Sequence, residues 1–129
     1  LIDKNINVTS LIDKGAILAN NIEIGKGSIV MPGCIINSNA KIGVGCIINT
    51  GCLIDHDCKI NDFVHISPGC KLGGTTVIGN LSWIGIGTTI INNISIGDNV
   101  IIGAGSIIYK DVGDRIKIIQ KVEQQEHSI

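Results

Sequence analysis

Two histidines are the side chains of this sequence best suited to chemistry near neutral pH. His56 lies between two carboxylates in Asp55-His56-Asp57, and His65 follows nine residues later in an otherwise apolar run. A carboxylate beside an imidazole holds its tautomer and raises its basicity, as a general base requires. The same three residues also suit a solvated turn, and a single histidine in an apolar run often serves only in packing. The third histidine, His127, lies close to the end of the printed sequence.

An unbroken period of six must position these side chains. Stepping by six from Ile6 to Ile108 gives 18 positions, and all of them are aliphatic. Neither the period of a helix nor that of a single strand produces this spacing. A triangular solenoid does, with a short strand on each side, a turn at each corner and three hexads in each coil. The sequence therefore predicts an all-β chain, a parallel β-helix over residues 6–112 with about six stacked coils.

The composition agrees with this architecture. The chain has 129 residues, 17 of them glycine, and its only aromatic residues are Phe63, Trp83 and Tyr109. Glycine and β-branched isoleucine disfavour a helical bundle, whereas 44% hydrophobic residues exclude a disordered chain. Bulky rings do not fit the interior of a narrow prism, so we expect all three outside it. A net charge of −1 without a basic run argues against nucleic-acid partners, and no apolar stretch approaches the ~20 residues of a membrane span.

The five cysteines fall on a second phase of the repeat, which points inward and carries small residues. Cys34, Cys52 and Cys70 are 18 residues apart and should stack in one column. A disulfide framework and a metal site are the alternatives. Serine, alanine and threonine fill the same phase elsewhere, so we predict small, buried side chains instead. Reduced thiols also favour a cytoplasmic location.

Sorting the residues by coil places further groups around the two histidines. One coil above His56 the same corner carries Gly74, which leaves a backbone N–H beside the imidazole. A base next to an amide donor suits acyl transfer, because one removes a proton and the other stabilises an oxyanion.

His65 lies instead in an outward apolar column. That column comprises Ile29, Ile47, His65, Trp83 and Ile101. An exposed apolar stripe predicts an interface, and closed symmetry makes a homotrimer the expected assembly. The two histidines would then share a cleft only between subunits.

At these residues the chain resembles one branch of the left-handed β-helix hexapeptide-repeat acyltransferases. The branch contains the sialic acid O-acetyltransferases and the nucleotide-amino-sugar N-acetyltransferases of bacterial glycan biosynthesis. The specific part of the resemblance is Asp55-His56-Asp57-Cys58 together with Val64-His65-Ile66-Ser67-Pro68-Gly69. Residues 48–51, 82–87 and 110–112 fit as well, and the resemblance covers about residues 9–112.

The resemblance implies left-handed coils and a role for each site residue. His56 is the implied general base, and Asp57 orients it. His65 and the backbone N–H of Gly74 would bind acetyl-CoA near its thioester carbonyl, and Asn49 would reach the sugar. The implied reaction passes an acetyl group directly from the co-substrate acetyl-CoA to an amino or hydroxyl group of a sugar or nucleotide sugar, and it requires no metal.

The chain also departs from this family. Members carry an N-terminal domain that holds the nucleotide sugar, and residues 1–5 are expected to be the end of such a region. The usual His-Pro near the first coil is Asp13-Lys14 here. Residues 113–129 lack the family's Gly-x-Pro-Ala ending and are expected to form a C-terminal tail, as a frayed helix or a disordered segment.

The sequence leaves two other functions open. A non-catalytic scaffold, or an inactive β-helix domain, is compatible with the departures from the family. A γ-type carbonic anhydrase shares the fold but needs three histidines as zinc ligands. Outside the tail this sequence offers only His56 and His65.

Overall fold

The computed structural model describes residues 8–121 and 126–128, and within them the chain forms 18 strands of two residues each and no helix. Nothing in the described part of the chain is a helix long and apolar enough to span a membrane. The strands are β1 (Leu11–Ile12), β2 (Ile17–Leu18), β3 (Glu23–Ile24), β4 (Ile29–Val30), β5 (Ile35–Ile36), β6 (Lys41–Ile42), β7 (Ile47–Ile48), β8 (Leu53–Ile54), β9 (Lys59–Ile60), β10 (His65–Ile66), β11 (Lys71–Leu72), β12 (Val77–Ile78), β13 (Trp83–Ile84), β14 (Thr89–Ile90), β15 (Ser95–Ile96), β16 (Ile101–Ile102), β17 (Ile107–Ile108) and β18 (Lys117–Ile118).

Each of the first five coils contributes one strand to each of three parallel sheets, which form the faces of a triangular prism, whereas the last coil reaches sheet C only through the bridge of Val112 to Ile96. Sheet A contains β1, β4, β7, β10, β13, β16 and β18; sheet B contains β2, β5, β8, β11, β14 and β17; sheet C contains β3, β6, β9, β12 and β15. The strand order confirms the predicted parallel β-helix of about six coils. The predicted N-terminal region at residues 1–5 and the first aliphatic position, Ile6, lie outside the described residues.

One aliphatic side chain from each strand fills the interior. Ile36, Ile54 and Ile66 are 0% exposed, because each packs between the equivalent residues of the coils above and below. Full burial of such a side chain contributes about 1.5–3 kcal/mol. The prediction is wrong at the first two strands, where Ile12 is 47% and Leu18 36% exposed. No described coil packs beneath these two residues.

The small inward residues do more than fill space. All five cysteines are free and buried, as predicted. The thiol of Cys34 donates to the backbone carbonyl of Asn49 at 2.9 Å, and that of Cys52 to the carbonyl of Ser67 at 3.0 Å. The hydroxyl of Ser82 makes the equivalent bond to Gly97 at 2.9 Å. Cysteine and serine therefore both occur in this phase, because each is a small side chain that can donate to a corner carbonyl.

The three aromatic rings lie outside the prism, as expected. Phe63, Trp83 and Tyr109 are all more than half exposed. Within residues 8–121, the interior of the prism is consequently built from aliphatic and small side chains.

The last coil is two residues shorter than the others. Val112 bridges to Ile96, and Lys117–Ile118 pairs with Ile101–Ile102, so both offsets are 16 residues instead of 18. The corner that follows β17 is the shorter one. The prism thus continues into the segment 113–129, and the expectation of a frayed helix or disordered tail is wrong for β18.

A glutamine covers the end of sheet B beyond β17. The side chain of Gln120 accepts the backbone N–H of Ile107 at 2.8 Å and donates to the carbonyl of the same residue at 2.9 Å. One amide side chain thereby satisfies the backbone groups that a further strand would have paired.

Candidate active site

His56 lies at the corner between sheets B and C, in the turn that joins β8 to β9. Its Nδ1 is 2.9 Å from Asp57 Oδ2, so the imidazole donates from Nδ1 and leaves Nε2 as the basic nitrogen. Asp57 occupies the left-handed position of the turn, with φ of 57°. Its other oxygen, Oδ1, accepts the side-chain amide of Asn39 at 3.2 Å. The carboxylate is therefore held on both oxygens.

The second carboxylate of the motif supports the turn and does not touch the imidazole. Asp55 Oδ1 accepts the backbone N–H of His56 and the side-chain amide of Asn37, both at 2.8 Å. The hydrogen bond to Asp57 raises the pKa of His56 above its usual value, and the charge of Asp55 adds to this. In return, the hydrogen bonds from His56 and Asn39 lower the pKa of Asp57.

Gly74 lies one coil above His56 and is required by space. A Cβ at this position would lie 2.5 Å from His56 Nε2 and 2.6 Å from Cε1. The N–H of Thr75 donates to the carbonyl of His56 at 2.9 Å, which ties the two corners together. Among the described residues, no acceptor bonds the N–H of Gly74 itself. The basic nitrogen of His56 and an available amide donor are thus neighbours, as the sequence predicted.

His65 belongs to a different part of the prism, the outer face of sheet A. It pairs with Ile47 and Trp83 in the parallel ladder. The imidazole stacks on the indole of Trp83 with 5.9 Å between ring centroids and 3° between ring planes. Asn49 Nδ2 lies 3.3 Å from His65 Nε2. Partial burial lowers the pKa of His65 below its usual value.

The structure therefore forms two clusters from the five predicted site residues. His56, Asp57 and Gly74 share the corner between sheets B and C, whereas His65 and Asn49 meet on sheet A and at its border with sheet B. Sheet A is the face opposite that corner, so a single chain does not bring the two histidines together.

Three residues that hold these clusters in place were not predicted from the sequence. Asn37 and Asn39 lie below the two aspartates, and the 18-residue offset could have revealed both. Ser67 accepts the indole N–H of Trp83 at 2.8 Å. Its offset of 16 residues follows no column of the repeat.

An open apolar groove of about 310 Å³ runs beside the second cluster. Its walls include Pro68, Trp83, Ile86, Ile101 and Ala104. Among the described residues, no three histidine, cysteine, aspartate or glutamate side chains are grouped so that they could hold a metal ion.

The chain is similar to one protein-family model and to several solved structures. The family model described as bacterial transferase hexapeptide (six repeats) matches residues 75–110. No curated protein sequence matches the chain. The acetyltransferase domain of PglB from Neisseria gonorrhoeae superposes with a TM-score of 0.89 at 35% identity, over 90% of this chain and 57% of that one.

Two further structures show the same likeness. A variant of GDP-perosamine N-acetyltransferase from Caulobacter crescentus, in complex with CoA and GDP-perosamine, gives a TM-score of 0.91 at 30% identity, over 96% of this chain and 60% of that one. WeeI from Acinetobacter baumannii superposes with a TM-score of 0.81 at 30% identity, over 84% of this chain and 53% of that one. The chain thus spans a little more than half the length of these proteins. Its fold is the left-handed β-helix of hexapeptide-repeat proteins.

Proposed function

Because the chain belongs to the bacterial transferase hexapeptide-repeat family, we propose that it is the β-helix of an acetyltransferase that acetylates a nucleotide-linked sugar. Similar proteins have been solved with acetyl-CoA, and with CoA and GDP-perosamine. They support acetyl-CoA as the co-substrate and an amino group, in preference to a hydroxyl group, as the acceptor. The observation that carries the proposal is the His56–Asp57 pair beside Gly74, whose backbone N–H has no acceptor among the described residues.

His56 is the general base of the proposed reaction. With Nδ1–H bonded to Asp57, the lone pair of Nε2 takes a proton from the sugar amine while the amine nitrogen bonds to the thioester carbonyl carbon. Asp57 stabilises the resulting imidazolium. When the carbon–sulfur bond breaks, His56 returns the proton to the leaving thiolate, so that the products are an amide and free CoA.

Gly74 supplies the donor for the charge that develops on the carbonyl oxygen. No described acceptor binds its N–H, and the missing side chain leaves room beside the imidazole that a Cβ would fill. A preorganised backbone donor of this kind contributes about 2.7–4 kcal/mol of transition-state stabilisation.

The second cluster is assigned to a neighbouring subunit of a homotrimer. His65 lies in an exposed apolar column where Trp83 is 52% and Ile101 41% exposed, and such a stripe favours an interface. Packed against the His56 corner of another copy, His65 would bind acetyl-CoA. Asn49 lies beside it and keeps one amide hydrogen that we assign to the sugar. The five free thiols favour the cytoplasm as the location.

The experiment that tests the function is a coupled assay of thiol release from acetyl-CoA with nucleotide-linked amino sugars. His56→Ala should lower kcat by about two to four orders of magnitude, because a general base is removed, and leave the melting temperature nearly unchanged. Asn92→Ala, in the same corner column two coils away, is the matched control and should keep full activity.

Two results would contradict the proposal. An active His56→Ala variant would exclude the assigned base. A chain that binds no acetyl-CoA at millimolar concentration would favour the non-catalytic scaffold.

A further inference from the structure

The side-chain amide of Asn49 has one orientation that satisfies its neighbours. Oδ1 accepts the backbone N–H of Thr50 at 2.8 Å, and Thr50 Oγ1 lies 3.3 Å from the same oxygen. Exchanging Oδ1 and Nδ2 would set the amide nitrogen against a backbone N–H, and two donors form no hydrogen bond. The Nδ2 group must therefore face the other way, toward His65.

That orientation decides which nitrogen of His65 carries the proton. Asn49 Nδ2 lies 3.3 Å from His65 Nε2. An amide nitrogen only donates, so Nε2 must accept, and it accepts only when it is unprotonated. Partial burial also lowers the pKa of His65, which favours the neutral ring. A neutral imidazole with a bare Nε2 has its single hydrogen on Nδ1.

Trp83 fixes the plane of the same ring. The indole and the imidazole are parallel within 3°. The indole is itself anchored, because its Nε1–H donates at 2.8 Å to the hydroxyl of Ser67, which is only 5% exposed. Stacking thus sets the tilt of the His65 ring, and the bond from Asn49 sets its rotation within that plane.

We propose that Asn49 and Trp83 are positioning residues that hold His65 as a neutral, single-tautomer Nδ1–H donor. The inference rests on the proposed function for what the donor meets, which is a carbonyl oxygen of acetyl-CoA. Because Nε2 of His65 already accepts from Asn49, this histidine offers only its Nδ1–H to a ligand, as a hydrogen-bond donor. The two histidines therefore divide the work: His56 moves the proton, and His65 binds and orients the acyl donor.

Nitrogen-15 NMR of the imidazole rings tests the tautomer in the free protein, without any assay of activity. Signals lost in His65→Gln identify the ring. We expect an unprotonated Nε2 and a protonated Nδ1. Asn49→Asp replaces the donor with an acceptor of the same shape, so the proton should move to Nε2. Asn99→Asp, at an exposed position about two coils beyond His65, adds the same charge and should leave the His65 tautomer unchanged.

The role of Trp83 is tested in the same spectra. Trp83→Ala should give averaged ring signals from both tautomers, whereas Trp83→Phe keeps a ring to stack on and should retain the single tautomer. A protonated Nε2, or averaged tautomers, in the unsubstituted chain would overturn the inference. So would a Trp83→Ala spectrum identical to that of the unsubstituted chain.

Calorimetric titration with acetyl-CoA separates this inference from the proposed function. Asn49→Asp should weaken acetyl-CoA binding by about tenfold, the usual value of one hydrogen bond, because Nδ1 no longer donates. Unchanged affinity would overturn the role of the Nδ1 donor. A chain with the expected tautomer that binds no acetyl-CoA would refute the proposed function and leave the tautomer lock established.

Discussion

Replacing Gly74 with alanine should separate the catalytic geometry from the fold. The added Cβ would lie 2.5 Å from His56 Nε2, whereas ordinary contact begins near 3.4 Å, so the imidazole must move by about 1 Å. A misplacement of that size costs about 100-fold in rate. We therefore expect kcat to fall about 100-fold in the thiol-release assay, although every catalytic group and the Gly74 N–H are still present.

The same substitution should leave stability almost unchanged. The φ angle of Gly74 is outside the left-handed region, so alanine fits the backbone. The imidazole that must yield is 57% exposed and can turn into solvent. The melting temperature should change by about 2 °C or less. Gly113→Ala is the matched control, because its Cβ would meet no atom within 4 Å.

Either of two results would refute this reasoning. Full activity in Gly74→Ala would show that the position of the His56 ring does not limit the reaction. A large fall in melting temperature would show that Gly74 serves the packing of the corner, and the loss of activity would then say nothing about the base.

Two further predictions concern the carboxylate and the assembly. Asp57→Asn replaces the carboxylate whose hydrogen bond raises the pKa of His56, so this pKa should fall. The acid limb of the kcat/KM profile should then move to lower pH, with kcat down about 10- to 100-fold, whereas Asp13→Asn should not move the profile. Trp83→Glu places a charge in the apolar column of sheet A and should separate the subunits. Sedimentation equilibrium should show a trimer of the 13.6 kDa unsubstituted chain and a monomer of the variant. Tyr109→Glu, outside that column, is the control and should remain a trimer. A pH profile of Asp57→Asn that does not shift would contradict the first prediction. An unsubstituted chain that is monomeric at micromolar concentration would contradict the second.

Most of the fold could be predicted from the period of six, because each position meets the equivalent neighbours in every coil. His65 pairs with residues 18 positions away on both sides, as its column required. The period fails at the last coil, where one corner loses two residues. The sequence does carry a signal for this: residues 112–118 repeat the pattern of 96–102 at an offset of 16, beginning with Gly113-Asp114 after Gly97-Asp98.

The site was less predictable because its important side-chain contacts join residues from different columns of neighbouring coils. Gly74 shares a column with His56, and the column logic found it. Asn49 to His65 and Ser67 to Trp83 are both separated by 16 residues, from the start of a corner to the outward residue of the next coil. Such contacts depend on side-chain rotamers as well as on the backbone repeat. A column of 18-residue steps therefore could not reveal them.

The positions of the two histidines make assembly part of the proposed site. Between the His56 corner and the outer face of sheet A lies an interior filled by residues such as Ile54 and Ile66, which are 0% exposed. No side-chain motion carries His65 through that interior, so only a second copy can bring sheet A against the corner. Activity and assembly should then be lost together when Trp83→Glu separates the subunits. His56→Ala should instead lower kcat by about two to four orders of magnitude and leave the trimer intact, and a fully active monomer would contradict the proposed site.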